Sequence, residues 1–246
     1  MLRAVLFDWG DTLFRFRYDE ELLEAGWKSG LEAIGRLEEL PFDRAAARFQ
    51  EAYMPRLFEP GTIEEVEYPG LIRQVFEEFG VEVDDVALDR FLAAERAAWD
   101  PARELGAHTH ALLDSLRDRD LRLGLVSNAF DPPALLHEDL DRMGIGERLD
   151  AAVFSSEVGR RKPDSLIFET ALHRLGVEPG ETLFVGDRRY EDVKGAAELG
   201  MTTVLALWFR ADDDERGLDP DHEAFTPMDV LNVVRRLLAE DGGHYT

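Results

Sequence analysis

The sequence predicts an α/β fold, a doubly wound parallel sheet with an inserted α-helical bundle. Three observations predict it. Short apolar runs recur at residues 2–7, 121–128, 151–155, 182–187 and 201–207, the pattern of strands covered on both faces. Helical stretches alternate with the later runs, as in βαβ units. Between the first and second runs, residues 15–100 show helical periodicity alone.

The elements follow in order. Residues 2–7 end in Asp8 and a tight small-residue turn. In the insertion, Leu22, Leu23, Gly26, Trp27, Gly30, Leu31 and Ile34 recur near a 3.6 period. Ala46, Phe49, Ala52 and Tyr53 make a second stripe, and Leu71, Ile72, Val75, Phe76 and Phe79 a third. Val86, Leu88, Phe91, Leu92, Glu95 and Ala98 make a fourth, with Asp84 placed to cap it. Pro41, Pro55, Pro60-Gly61, Pro69-Gly70 and Gly80 separate them. This is a bundle of about four helices without a strand of its own. Its aromatics read as core filler, a few of them lining a pocket. The expected division is a core of residues 1–14 and 101–246 and a cap of residues 15–100.

Beyond the insertion, residues 109–120 read as a helix before the second strand. Pro132-Pro133 open the next helix, which runs to Met143-Gly144. Residues 163–175 form another, stopped by Gly176, and residues 191–199 one stopped by Gly200. Residues 211–223 carry seven acids against Arg216 and read as a solvated loop. Residues 229–238 close the fold as an amphipathic helix, and residues 241–246 read as a loose tail.

Composition excludes whole classes of function. The net charge of −24 argues against nucleic acid, which needs a basic face, and against an anionic membrane surface. No run reaches the ~18 apolar residues of a membrane span, and the first residues enter a strand without a leader's charged and apolar regions. The absence of cysteine removes disulfides, thiolate metal sites and a cysteine nucleophile. The expected setting is the cytoplasm. No nucleic-acid or membrane partner is expected, for a monomer or homodimer; a small phosphorylated molecule as partner stays open, since a few local cations and a divalent metal can reverse the field at one site.

Chemistry concentrates at the strand ends, where open α/β sheets bind ligands. The first strand ends in Asp8, the second in Ser127-Asn128, and the fourth in Gly186-Asp187. Arg160-Arg161-Lys162-Pro163 leads into a helix between them. Lys162 is one of only three lysines, with Lys28 and Lys194. Phosphoryl transfer needs such a set: a nucleophile, cations, hydrogen-bond donors, and carboxylates for magnesium. Asp8 can attack phosphorus. Asp187 and Asp192 offer hard oxygens suited to Mg²⁺.

With these residues in view, the chain resembles the haloacid dehalogenase-like hydrolases, whose core is Rossmann-like. The family's motifs stand in order: Asp8-Trp9-Gly10-Asp11-Thr12-Leu13, then Leu125-Val126-Ser127-Asn128, then Lys162-Pro163-Asp164, then Val185-Gly186-Asp187 through Asp192. The resemblance implies roles. Asp8 would be nucleophile and magnesium ligand. Thr12, Ser127 and Asn128 would bond the transferring group, and Lys162 would neutralise charge there. Asp187 would ligate magnesium, with Asp192 direct or through water and Gly10 by its carbonyl.

One departure matters. Family phosphatases carry an acid/base aspartate two residues after the nucleophile, and Gly10 stands there. Asp11, one place on, is expected to bond the local turn. General acid–base help is worth ~10²–10⁴-fold, so alkyl esters are expected to turn over poorly. A magnesium-dependent phosphatase that favours good leaving groups is the leading expectation. A carbon-centred hydrolase is a second. Phosphonoacetaldehyde hydrolase-like members have a similar first motif and a cap lysine as Schiff base, which only Lys28 could supply. A non-catalytic binding protein on the same fold is the third.

Overall fold

The computed structural model describes residues 1–209 and 216–242. The chain runs β1 (Ala4–Phe7), β2 (Phe14–Phe16), α1 (Glu20–Ile34), α2 (Phe42–Ala52), α3 (Met54–Leu57), α4 (Tyr68–Glu78) and α5 (Asp85–Ala98). It continues through β3 (Arg103–Leu105), α6 (Thr109–Arg117), β4 (Arg122–Ser127), α7 (Pro133–Arg142), β5 (Ala151–Phe154), α8 (Ser155–Val158) and α9 (Ser165–Leu175). It ends with β6 (Thr182–Gly186), α10 (Gly195–Leu199), β7 (Thr202–Ala206), β8 (His222–Ala224) and α11 (Pro227–Gly242).

Six strands form one parallel sheet in the order β5-β4-β1-β6-β7-β8. Alternation along the strands feeds both faces. Val5 and Phe7 join Leu123, Leu125, Leu183 and Val185 under α6, α7 and α11. Ala4 and Leu6 join Val126, Val153 and Phe184 under α9 and α10. Gly124 permits the close approach of Leu6, since a Cβ there would lie 2.6 Å from Leu6 Cδ2. Because β1 lies between β4 and β6, with Phe7 level with both Leu125 and Val185, Asp8, Ser127 and Asp187 leave adjacent strand ends on one rim.

The helices of the insertion bury a separate apolar cluster around Trp27, Phe76 and Phe91. The Trp27 and Phe91 rings meet edge-on at 5.0 Å between centroids. Gly30 on α1 makes that approach possible, because a Cβ there would sit 2.5 Å from the Phe91 ring. Asp84 caps α5 by accepting from the Ala87 N–H at 2.8 Å. Val86, placed by periodicity in the buried stripe, is 68% exposed; it lies in the first turn, before the helix meets its neighbours.

Two ionic seams tie the insertion to the sheet half. Arg96 of α5 bridges Asp131 at 2.5 Å and Asp139 of α7 at 2.6 Å. Arg161 pairs with Glu65 at 3.2 Å and donates to the Leu57 carbonyl at 2.6 Å, beside an Arg160–Glu64 pair at 2.6 Å.

Three sequence expectations need correction. The insertion is rooted in strands: β2 pairs antiparallel with β3, where the chain leaves and re-enters the core. The sheet has a sixth strand, β8, inside the stretch read as an acidic loop. It forms because Asp221 accepts from the Thr203 N–H at 2.8 Å and from its hydroxyl at 2.9 Å, aligning the chain beside β7. Residues 211–215 of that stretch lie outside the described residues. The closing helix runs from Pro227 to Gly242, its start bonded to Asp229, so residues 241–242 are helical. The rest of the expected tail, residues 243–246, lies outside the described residues.

Candidate active site

Asp8 follows β1 and is 6% exposed. Its N–H donates to the Val185 carbonyl at 2.9 Å, which ties the turn to β6. Lys162 Nζ donates to Asp8 Oδ1 at 2.5 Å and to Asp192 Oδ1 at 2.6 Å. Oxygens of Asp8, Asp187 and Asp192, all buried, lie within 4.8 Å of one another. Burial pushes the Asp8 carboxyl up, Lys162 opposes it and Asp192 adds to it, leaving its pKa at about 6. Burial disfavours the Lys162 ammonium, but the carboxylates of Asp192 and Asp8 more than offset this and raise its pKa. Lys162 is thus a fixed cation in the site.

The local backbone explains the convergence. Lys162 is held by Asn128, whose Oδ1 accepts from the Lys162 N–H at 2.7 Å and whose Nδ2 donates to the Lys162 carbonyl at 3.3 Å. The Lys162–Pro163 bond is cis. Asp192 sits in a π-helical turn, Arg189–Lys194, and accepts from the Arg188 N–H at 2.9 Å. It packs directly on Gly186, where a Cβ would meet Asp192 Cγ at 2.4 Å.

A cavity of about 510 Å³ opens over this rim and is lined in part by Asp8, Gly10, Ser127, Asn128, Lys162, Asp187 and Asp192. Of the residues expected to hold the phosphoryl group or the metal, Thr12 alone is not on its wall. Thr12 is 1% exposed and its carbonyl accepts from Trp208 Nε1 at 2.9 Å. The amide of Asn128 is engaged with Lys162, which places Asn128 as a support for the lysine. Asp11 adopts a left-handed φ of 55° and accepts from the Phe16 N–H at 3.1 Å, so its carboxyl bonds the turn. Lys28 is exposed and lies 4.0 Å from Glu32; it does not line the cavity.

Sequence reasoning missed the insertion side of this cavity, where Glu95, Arg96 and Trp99 of the α5 region face Phe130 and Asp131. One signal was present: a glutamate, Glu95, in an otherwise apolar helical stripe. Arg188 also lines the cavity. Burial disfavours its charge, but Glu191, Asp187, Asp192 and Asp8 raise its pKa overall.

Known proteins resemble the chain over most of its length. A family model described as haloacid dehalogenase-like hydrolase matches residues 2–200. The chain is 30% identical to a glyceraldehyde 3-phosphate phosphatase of Methanopyrus kandleri, over 96% of this chain and 99% of that one. It is 31% identical to a phosphoserine phosphatase of Thermus thermophilus, over 94% and 82% respectively. A solved 2-haloacid dehalogenase from Pseudomonas syringae pv. Tomato shares the fold with a TM-score of 0.68 at 22% identity, over 96% of this chain and 100% of that one.

Proposed function

Since the chain belongs to the haloacid dehalogenase-like hydrolases, we propose that it is a magnesium-dependent phosphatase that works through an aspartyl-phosphate at Asp8. The observation that carries this is the buried bridge of Lys162 between Asp8 and Asp192, beside Asp187. Two relatives over most of the chain are named phosphatases.

Asp8 attacks phosphorus, and the leaving oxygen departs with the electrons of the broken P–O bond. Water then attacks phosphorus, which frees phosphate and restores the carboxylate. Lys162 balances the Asp8 charge, and Ser127 stands at the end of β4 to donate to a phosphoryl oxygen. Three clustered, hard carboxylates fit Mg²⁺. Asp8, Asp187 and the Gly10 carbonyl would hold it, and Asp192, engaged by Lys162 and Arg188, would act through water. When bound, magnesium supplies positive charge against the phosphoryl oxygens. Residues 15–100 serve as the cap that closes the cavity over the substrate.

The absence of a carboxyl at Gly10 shifts preference toward leaving groups that need no proton. The Schiff-base alternative loses its support with Lys28 exposed on α1. The test is phosphate release from p-nitrophenyl phosphate and acetyl phosphate, with Mg²⁺ or EDTA. Release that needs Mg²⁺ and disappears in Asp8→Asn is expected. Full activity in Asp8→Asn overturns the covalent mechanism, and no release from either substrate overturns the phosphatase reading.

A further inference from the structure

Glu95 is a buried carboxyl that this mechanism does not use. It is 3% exposed, lines the same cavity as Asp8, and makes no ion pair among the described residues. The cations beside it are committed elsewhere. Arg96 is held by Asp131 and Asp139, and Arg103 by Asp100 at 2.8 Å and Asp139 at 3.4 Å. Glu95 Oε1 accepts from Trp99 Nε1 at 2.8 Å, and the Tyr68 hydroxyl, its pKa raised by burial and by the Glu95 charge, also bonds this carboxyl; both partners are neutral. Gly26 on α1 leaves it room, since a Cβ there would lie 3.2 Å from Glu95 Cγ and Oε1.

Aromatic rings line the cavity wall on the same side as this carboxyl. Trp99 carries Phe16 and Tyr18 against it, at 5.9 Å and 5.7 Å between centroids. Tyr68 and Phe130 pack at 4.9 Å, with Phe58 on Phe130 at 6.1 Å. Phe16, Tyr18 and Phe58 remain 37%, 46% and 60% exposed, so this wall offers ring surface that the fold itself leaves uncovered. Burial and the charge of Asp131 push the Glu95 pKa up to about 7, against the Trp99 hydrogen bond, Arg96 and Arg103. Beside a neutral apolar ligand that carboxyl keeps its proton, because its ionised form has no counter-charge there. A cation satisfies both the carboxylate and the negative faces of the rings.

We propose that the leaving group of the substrate carries a cationic nitrogen, an ammonium or methylated ammonium, received by Glu95 and the rings of Trp99, Tyr18 and Tyr68. The inference rests on the phosphatase reading for the phosphate end of the same molecule. Glu95 is on this view a specificity residue, separate from the groups that meet phosphorus.

The test compares phosphocholine with its carbon isostere, in which a quaternary carbon replaces the nitrogen. Both are primary alkyl esters, so the missing carboxyl at Gly10 affects them equally. Each is measured as a competitive inhibitor of p-nitrophenyl phosphate hydrolysis with Mg²⁺, and its binding is measured in parallel by calorimetry. Phosphocholine should bind about tenfold or more tightly than the isostere, the size of a desolvated cation–aromatic contact. In Glu95→Gln, which keeps an acceptor for Trp99 Nε1 and leaves the rings in place, the ratio should fall about threefold or more, to what the rings alone supply. Equal affinities in the wild type, or an unchanged ratio in Glu95→Gln, overturn the inference. Absence of release from both p-nitrophenyl phosphate and acetyl phosphate overturns the phosphatase reading alone, and the calorimetric ratio still decides the cation site.

Discussion

Arg96→Met should loosen the seam between the insertion and the sheet. Arg96 presents its guanidinium to Asp131 at 2.5 Å and to Asp139 at 2.6 Å, with the three side chains 9%, 11% and 1% exposed. Methionine fills much of the volume and removes the charge. Asp139 keeps Arg103 at 3.4 Å and Arg142 as partners. Asp131 keeps no ion-pair partner among the described residues, and Glu95 loses one of the cations that lower its pKa. Removing one partner of a buried pair typically costs ~3–5 kcal/mol. At ~2–4 °C per kcal/mol for a chain of this size, the midpoint should fall by roughly 6–20 °C. Thermal unfolding and urea titration at neutral pH measure it. Asp131→Asn added to Arg96→Met should recover a large part of the loss, because the unpaired charge goes with it. A loss below ~1 kcal/mol, or a double variant no more stable than the single one, would refute the assignment of the seam to buried charge pairing.

Three further outcomes are expected. Gly10→Asp has room, its Cβ meeting nothing nearer than Phe14 Cζ at 3.9 Å. It should raise alkyl phosphate turnover by up to ~10²–10⁴-fold while changing p-nitrophenyl phosphate turnover far less; parallel changes on both esters would show that the missing carboxyl does not limit the rate. The folded state holds the Glu95 proton more tightly than the unfolded chain, with a pKa of about 7 against 4.5. That contribution to stability is complete below the unfolded value and is lost as pH rises through the folded one. Unfolding of Glu95→Gln beside the wild type should therefore show a relative gain that grows from about pH 5 to about pH 8, by ~3 kcal/mol at most; a gap that stays flat with pH contradicts this. Gly30→Ala places a methyl 2.5 Å from the Phe91 ring and should cost ~1–3 kcal/mol by overpacking, read as a lower urea midpoint; an unchanged midpoint would mean α1 and α5 can separate freely.

The division between sequence and structure follows the range of the forces involved. Local periodicity and turn chemistry determined the strands, the helices and the alternation that makes the sheet parallel, because a strand buried on both faces and a capped amphipathic helix each leave a short-range pattern. Asp8, Ser127, Lys162 and Asp187 were legible for the same reason: each follows a strand or opens a helix at a position its neighbours mark. The shift of the carboxyl from position 10 to Asp11 was equally plain, and so was its use in the turn, since a side chain displaced by one residue points elsewhere.

What only the tertiary structure decided depends on contacts between segments far apart in the chain. The pairing of β2 with β3 joins residues on either side of the whole insertion, and β8 forms through Asp221 and Thr203, so neither has a local signature. The engagement of Asn128 with the Lys162 backbone is likewise invisible to spacing. Glu95 appears in the sequence as one polar residue in an apolar stripe. Its meaning emerges only when α5 packs beside α1 and the Phe130–Asp131 loop, where burial removes water, Arg96 is committed to Asp131 and Asp139, and the carboxyl, bonded by Trp99 and Tyr68 but by no ion pair among the described residues, shares a cavity wall with rings from five separate stretches.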